Sequence, residues 1–190
     1  MVRIMELNMQ NELPDHLGGQ NGRSWTDDGS LNIMWNLGCR KMLDVGCGFG
    51  GQVKLAESLG WESYGVDGDW TVLPKESNFH LNDYTKGSPT LTYEVDLIWC
   101  VEFLEHVEEK YMDNYMSTFQ DSKAKYLIVT HAVPGQAGHH HVNCQEEDYW
   151  LDAFKRYGFE YDETLTKQIR EESTMKKPFV ARTGLVFKRS

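Results

Sequence analysis

The feature that most constrains the fold is a glycine-rich loop between a short apolar segment and a segment with helical spacing. Residues 41–45 are mostly apolar, residues 46–51 read Gly-Cys-Gly-Phe-Gly-Gly, and residues 52–59 place Leu55, Ala56 and Leu59 on one helical face. Glycine has no Cβ, so the main chain can turn tightly and a ligand can approach it closely. The free N–H groups at the start of the next helix favour an electron-rich ligand group. The segment therefore predicts a strand, a ligand-binding turn and a helix.

Similar segments alternate along the rest of the chain. Strands are predicted over residues 41–45, 63–66, 78–81, 95–101, 126–130 and 184–188. Helices are predicted to begin near Asp27 and to cover residues 52–59, 105–119 and 146–157. This alternation indicates an α/β fold in which helices flank a mostly parallel sheet through right-handed crossovers. We expect one domain over residues 27–190, preceded by an irregular arm over residues 1–26.

Composition narrows the class of protein. The 190 residues carry a formal charge of −10, with 40% hydrophobic and 25% charged residues, which argues against global disorder. No segment approaches the roughly 20 apolar residues of a membrane helix, and no signal peptide is recognised. The acidic balance makes a nucleic-acid partner unlikely, because phosphate binding relies on Lys and Arg. The four cysteines form no C-x-x-C pair, so we expect reduced thiols in a cytoplasmic protein.

Three acidic residues lie at or beside strand ends near the glycine loop. Asp44 precedes the loop, Asp67 ends the second predicted strand, and Asp83 follows the third. Gly46, Gly48 and Gly51 also satisfy G-x-G-x-x-G, which leaves a dinucleotide site open. A carboxylate at position 44 would repel a pyrophosphate but suits a cationic ligand. The three acids together match a ligand with a positive centre, a ribose and an adenine.

In order and spacing these motifs resemble class I S-adenosylmethionine-dependent methyltransferases of the small stand-alone type. The resemblance covers roughly residues 42–161, through the segments LDVGCGFGG, YGVDGD, NDY and DLIWCVEFLEHVEE. It implies a Rossmann-like seven-stranded sheet with one antiparallel strand, and S-adenosylmethionine as the cofactor. It also implies that the methionine part lies against the glycine loop, with the ribose on Asp67 and the adenine on Asp83. The predicted cofactor contacts are Asp44, Gly46, Cys47, Gly48, Gly50, Asp67, Gly68, Asp83, Tyr84, Val101 and Glu102.

Histidines supply candidate general bases. His131 follows the strand over residues 126–130, and His139, His140 and His141 lie in the glycine-bearing loop beyond it. An oxygen acceptor must lose its proton, and histidine is the natural base near neutral pH. We expect His131 or one of the loop histidines, His140 among them, to act as base, with Glu102 facing the acceptor. A hydrogen-bonded, purely structural His131 stays open.

No metal site is predicted from this loop. Its three consecutive histidines point to different sides of an extended chain, and structural zinc sites favour ligand gaps of about two to four residues. His106 is interpreted as structural or as a neighbour of the cofactor, because it begins a predicted helix.

The predicted activity is methyl transfer to an oxygen of a small molecule or glycan, with the arm as a lid over the site. The segment Cys100-Val101-Glu102-Phe103 lacks the Asn/Asp-Pro-Pro-Tyr/Phe type motif of DNA amino-methyltransferases. A non-catalytic S-adenosylmethionine-binding module stays open as an alternative. A nicotinamide-dependent oxidoreductase and an enzyme that cleaves S-adenosylmethionine are further alternatives. The sequence does not indicate an oligomeric state.

Overall fold

A seven-stranded sheet forms the centre of the molecule in this computed structural model, which describes residues 12–19 and 22–190. The strands follow the order β3-β2-β1-β4-β5-β7-β6. They are β1 (Lys41–Val45), β2 (Glu62–Asp67), β3 (Phe79–Leu81), β4 (Leu97–Cys100), β5 (Tyr126–Val129), β6 (Phe159–Tyr161) and β7 (Leu185–Arg189). All pairs are parallel except those of β7, which runs antiparallel to β5 and β6. This confirms the predicted α/β class, with one antiparallel strand.

Six α-helices flank the sheet in the part of the chain that the structure describes. They are α1 (Asp28–Asn36), α2 (Gly51–Ser58), α3 (Met112–Asp121), α4 (Glu147–Arg156), α5 (Glu163–Glu172) and α6 (Phe179–Thr183). Asp27 caps α1 by accepting a hydrogen bond from the Ser30 backbone N–H, as a short acidic side chain before a helix predicts. The bounds of β1, α2 and β2 agree with the prediction to within one residue.

The helix predicted over residues 105–119 is wrong in its first half. Two short 3₁₀ turns, Leu104–His106 and Glu109–Tyr111, precede α3 there. Val107 and Glu108 between them have extended ψ angles of 120° and 141°, which an α-helix cannot contain. The predicted apolar face of α2 is also only partly right, because Val53 is buried and Leu59 is 39% exposed.

Two apolar layers cover the two faces of the sheet. One contains Phe119, Phe154 and Phe187, and the other contains Met34 and Trp99. Burial of β1, β4 and β5 on both faces explains their nearly continuous apolar sequences. The sheet is therefore a rigid support whose functional groups follow the strand ends. No helix among the described residues has the length and apolarity needed to cross a membrane.

Candidate active site

A cavity of about 580 Å³ opens at the carboxyl ends of β1, β2 and β4. Its size falls in the usual range of small-molecule sites, roughly 300–1,000 Å³. The parallel strands β1 and β4 are neighbours, and β4 and β2 lie on opposite sides of β1. Their carboxyl ends therefore meet at one edge, where open α/β sheets generally bind ligands.

The glycine loop forms one wall of the cavity. Gly46 and Gly48 line it with φ angles of +82° and +50°, in the left-handed region that glycine tolerates best. A Cβ at Gly46 would lie 2.7 Å from Cδ2 of Phe103, so the loop has no room for a side chain there. Cys47 lines the same wall.

Gly50 has a different position from the other loop glycines. It is the N-terminal cap residue of α2, and a Cβ at this position would collide with the ring of Phe79. Gly50 is not among the residues that line the cavity. Its predicted contact with the cofactor stays a prediction, and its observed role is to let α2 begin close to β3.

Asp44 and Asp67 lie side by side in the wall at the ends of β1 and β2. Both are less than 10% exposed, and burial raises the pKa of each; the charge of Asp67 raises the pKa of Asp44 further. The Asp67 carboxylate accepts hydrogen bonds from the backbone N–H groups of Gly48 at 2.7 Å and Asp69 at 2.8 Å. These bonds fix its orientation at the cavity, and Gly68 lines the cavity beside it.

Asp83 and Tyr84 form the cavity wall beyond β3. Oδ1 of Asp83 accepts hydrogen bonds from the backbone and hydroxyl of Thr85, as in an Asx turn. Oδ2 lies 3.1 Å from Nε2 of His16 and 3.1 Å from Nζ of Lys86. Burial alone would raise the pKa of Asp83. The hydrogen bonds have the larger combined effect and lower this pKa to about 2. The ring of Tyr84 packs edge-on against Phe103.

Val101 and Glu102 follow β4 and also line the cavity. Glu102 has a φ of +56°, which is unusual for a residue with a side chain and indicates a position fixed by its surroundings. Its backbone N–H donates to Oγ1 of Thr130 at 2.8 Å, and that hydroxyl lies 3.3 Å from Oε1 of Glu102. Burial raises the pKa of the Glu102 carboxyl.

Two of the histidines predicted as bases lie outside the cavity lining. His131 is 2% exposed, its Nδ1 donates to the carbonyl of Gln145 at 3.1 Å, and burial lowers its pKa. His140 has a φ of +47°, and its ring centroid lies 6.2 Å from that of His16. Neither ring is among the residues that line the cavity, and a role of either as the base stays a prediction.

Three histidines that follow β4 and β5 line the cavity, namely His106, His139 and His141, and His16 of the arm lines it as well. His106 donates from Nδ1 to the carbonyl of His139 at 2.8 Å, rather than to the loop before its own turn. His139 donates from Nε2 to the carbonyl of Leu17, which joins this loop to the N-terminal arm. Glu105, next to His106, is fully buried, and both of its carboxylate oxygens lack a hydrogen-bond partner among the described residues.

The described part of the arm lies along the mouth of the cavity. His16, Leu17, Ser24 and Trp25 all line it. A Cβ at Gly68 would lie 2.6 Å from Cδ2 of Leu17, so the arm passes directly over the end of β2. The predicted arm residues 1–11 and 20–21 lie outside the described residues.

The sequence missed a contribution from the C-terminal part of the chain. Lys177 and Phe179 line the cavity, and the Lys177 ammonium lies 5.2 Å from the ring centroid of Trp25. The Lys177 charge also favours the ionised form of Glu102, although burial of Glu102 has the larger effect on its pKa. No local pattern around residue 177 indicates this role, because only the packing of α5 and α6 on the sheet brings it to the site.

Comparison with known proteins identifies the domain. Residues 43–120 match the model of a methyltransferase domain family. Residues 43–120 are therefore a methyltransferase domain, and S-adenosylmethionine is the cofactor that this match and the structural neighbours indicate. None of the curated proteins compared with the sequence matches it.

Solved methyltransferase structures share the fold of this domain at low sequence identity. A TehB-like methyltransferase from Corynebacterium glutamicum is 17% identical, with 85% of this chain and 88% of that chain covered and a TM-score of 0.62. Magnesium protoporphyrin IX methyltransferase from Synechocystis is 15% identical, with 86% and 82% covered and a TM-score of 0.59. A toxoflavin-precursor N1-methyltransferase from Burkholderia thailandensis is 13% identical, with 86% and 77% covered and a TM-score of 0.60.

The residues of the cavity fit the cofactor of this methyltransferase family. The glycine wall at Gly46 has no space for a Cβ and leaves the main chain open to a close ligand. Asp44 supplies a carboxyl group whose ionised form suits a sulfonium, and Asp67 supplies carboxyl oxygens suited to ribose hydroxyls. Asp83 keeps its carboxylate ionised at the far side of the cavity.

Proposed function

We propose that this protein transfers a methyl group from S-adenosylmethionine to a hydroxyl oxygen of a small molecule or glycan. The observation that supports the proposal best is the cavity in which Asp44 and Asp67 flank the glycine wall and Glu102 faces the same space. S-adenosylmethionine would supply an activated methyl group on its sulfonium. The protein then has to hold both molecules in line and accept one proton.

Glu102 is the group we propose as the proton acceptor. It follows β4 directly, lines the cavity and is held by Thr130 through two contacts. In the proposed step the acceptor hydroxyl loses its proton to the Glu102 carboxylate while its oxygen forms the bond to the methyl carbon. The carbon–sulfur bond breaks, which leaves a methyl ether and S-adenosylhomocysteine. His131 and His140 are less suitable, since neither lines the cavity.

The preference for oxygen rests on the groups that line the acceptor end of the cavity, which is the part near Glu102, His106 and His141. A carboxylate and several imidazoles line this part of the cavity, and such groups accept or relay a proton from a hydroxyl. The residues after β4 read Cys100-Val101-Glu102-Phe103, without the proline pair that DNA amino-methyltransferases carry. The related structures named above act on a porphyrin and on a toxoflavin precursor, so chemically different acceptors occur on this fold.

We also propose that the arm over residues 1–26 is a lid. Its described part contacts Asp83 through His16, the end of β2 through Leu17 and the histidine loop through the Leu17 carbonyl. These three contacts join the arm to both ends of the cavity. Opening the arm would expose the cavity, and closing it would exclude water from the reacting groups.

A labelled-methyl experiment tests the proposed function. The full-length protein is incubated with S-adenosylmethionine that carries a tritiated methyl group, in parallel with monosaccharides, catechols and matched primary amines. We expect label in a hydroxyl acceptor, with turnover reduced at least tenfold in Glu102→Gln while binding of S-adenosylhomocysteine stays within about twofold. Label in amines alone would contradict the oxygen assignment. Cofactor binding without transfer to any acceptor would indicate a binding module.

A further inference from the structure

The unexplained feature of the site is a buried carboxylate beside two imidazoles. Glu105 and His106 belong to the first 3₁₀ turn after β4, and His141 comes from the loop after β5. One carboxylate oxygen of Glu105 and one ring nitrogen of each histidine all lie within 4.8 Å of one another. An unpaired buried carboxylate is costly, and a positive ion among these three groups would offset that cost.

The carboxylate gives the first indication that something binds there. Glu105 is 0% exposed, and neither of its side-chain oxygens has a hydrogen-bond partner among the described residues. Buried carboxylates in proteins are normally paired, hydrogen-bonded or bound to a metal ion. Neither histidine is recorded as a hydrogen-bond partner of this carboxylate, so both remain free to share a ligand with it.

The orientation of the two imidazoles gives a second, independent indication. Nδ1 of His106 lies 2.8 Å from the carbonyl of His139, and Nδ1 of His141 lies 3.0 Å from the carbonyl of Gln136. A carbonyl only accepts, so each Nδ1 carries the proton and each Nε2 keeps a free lone pair. A histidine that donates to a backbone carbonyl from one nitrogen and offers the other is the usual arrangement of a metal ligand.

The backbone holds the two halves of this cluster together. The N–H groups of Val142 and Asn143 both donate to the Glu105 carbonyl, at 2.9 Å and 3.1 Å. The two rings lie edge to face, with an interplanar angle of 80° and their centroids 5.0 Å apart. Metal–ligand bonds of about 2.0–2.2 Å need donor atoms no more than about 4.4 Å apart, close to the observed spacing.

We propose that Glu105, His106 and His141 bind a divalent first-row transition-metal ion at the acceptor end of the cavity. Two imidazoles and a carboxylate suit Zn²⁺, Mn²⁺, Fe²⁺ or Co²⁺ better than the all-oxygen shells of Ca²⁺. Glu102 lines the same cavity, and its charge acts on Glu105, so it is a further carboxylate close to the cluster. Binding of the ion does not depend on the proposed function. Its role there, to hold an acceptor that carries adjacent oxygen atoms, does rest on that function.

This proposed site differs from a metal site built from the three consecutive histidines 139–141. His139 and His140 are not members of the cluster: the His139 ring donates to the arm, and His140 does not line the cavity. Only His141 of the three joins Glu105 and His106. A variant at position 140 is therefore a matched control, because it removes a histidine from the same loop without touching the cluster.

Co²⁺ is the probe for the test, because its visible absorption reports the ligands and geometry. Metal-free full-length protein is titrated with Co²⁺, with equilibrium dialysis and metal analysis as a second measurement. We expect about one equivalent to bind, and His141→Asn or Glu105→Gln to weaken binding by about 100-fold or more. His140→Asn should bind Co²⁺ as the wild type does. Circular dichroism and the melting temperature establish that each variant is folded.

A third variant tests the geometry without removing a ligand. A Cβ at Gly138 would lie 2.0 Å from Nε2 of His141, so Gly138→Ala must push the His141 ring away. We expect this variant to lose Co²⁺ affinity like His141→Asn. Failure of the wild type to bind the ion, or equal losses in His140→Asn and His141→Asn, would overturn the proposal. Binding of S-adenosylhomocysteine is measured with a chelator present, so loss of the metal and loss of the cofactor site are distinguished.

Discussion

His16 of the arm and Asp83 of the cavity wall are joined by a contact of 3.1 Å between Nε2 and Oδ2, across 67 residues of sequence. Asp83 is also held by Thr85 and Lys86 from its own turn. The arm crosses the end of β2 and contacts a carboxylate that Thr85 and Lys86 already hold in a fixed orientation. This contact connects the proposed lid to the part of the cavity where we expect the adenine.

We predict that His16→Ala releases the cofactor product faster. Loss of one partly buried contact to a carboxylate is worth about 1 kcal/mol, or about fivefold in the dissociation rate of S-adenosylhomocysteine. Stopped-flow fluorescence with this ligand measures the rate. Lys86→Ala is the matched control, because it removes another contact to Asp83 and leaves the arm in place. If both variants release the ligand at the wild-type rate, the arm does not retain it.

Asp67→Asn should weaken binding of S-adenosylhomocysteine by about 10- to 100-fold. The loss follows from a charged hydrogen bond to the ribose, worth roughly 1.5–3 kcal/mol, and from weaker contacts to the Gly48 and Asp69 N–H groups. Isothermal titration calorimetry gives the affinity. Asp152→Asn, on an exposed position of α4, should behave as the wild type. Equal affinity in Asp67→Asn would mean that this acid does not hold the sugar.

Comparing alanine substitutions at Gly46 and Gly38 separates the effect of a steric clash on stability from the effect of backbone strain. Gly46 and Gly38 both have positive φ angles, +82° and +89°, so alanine costs about 1–2 kcal/mol of conformational strain at either position. Only at Gly46 would the new Cβ also collide with Phe103; at Gly38 none of the described atoms outside the neighbouring residues lies within 4 Å of it. Gly46→Ala should therefore lower the free energy of unfolding more than Gly38→Ala and should also reduce cofactor affinity. Urea denaturation and calorimetry measure the two effects, and equal losses of stability would contradict this account.

These positions differ in how far sequence could predict them. The glycine loop and Asp67 belong to one strand–turn–helix unit and its neighbouring strand, so their relation follows from local spacing and the parallel sheet. The cluster of Glu105 and His141 depends on how the loop after β5 folds back, through the Val142 N–H bond to the Glu105 carbonyl. No residue spacing in the sequence predicts that this loop folds back onto Glu105. Lys177 could not be predicted from local sequence either, because only the packing of the C-terminal helices brings it to the cavity.

The 3₁₀ turn shows a second limit. Val107, Tyr111, Tyr115 and Phe119 recur at helical spacing, but the extended backbone at Val107 breaks the helix before α3 begins. The break lets the first turn present Glu105 and His106 together next to the cavity. A continuous helix over residues 105–119 would remove this arrangement, so the mistaken prediction falls where the site departs from regular structure.

Asp96 provides a prediction about stability at the edge of the sheet opposite the cavity. Its Oδ2 accepts hydrogen bonds from the Arg40 and Lys41 N–H groups at 2.9 Å and 3.1 Å, and its Oδ1 lies 3.2 Å from Nζ of Lys125. One carboxylate thus joins the starts of β1, β4 and β5. Asp96→Asn should lower the free energy of unfolding by about 1–2 kcal/mol at pH 7 and leave cofactor affinity unchanged.

The pH dependence of this difference provides its check. Burial disfavours ionisation of Asp96, but the Arg40 and Lys41 N–H groups and Lys125 outweigh it, so its pKa in the folded protein is lowered. A carboxyl with a lowered pKa stabilises the folded state above its unfolded pKa of about 3.9, and that stabilisation is lost as the pH falls through the folded value. Denaturation curves should therefore differ between wild type and Asp96→Asn at pH 7 and converge once the pH falls below the lowered folded pKa of Asp96. A difference that persists undiminished in acid would mean that the charge of Asp96 contributes nothing.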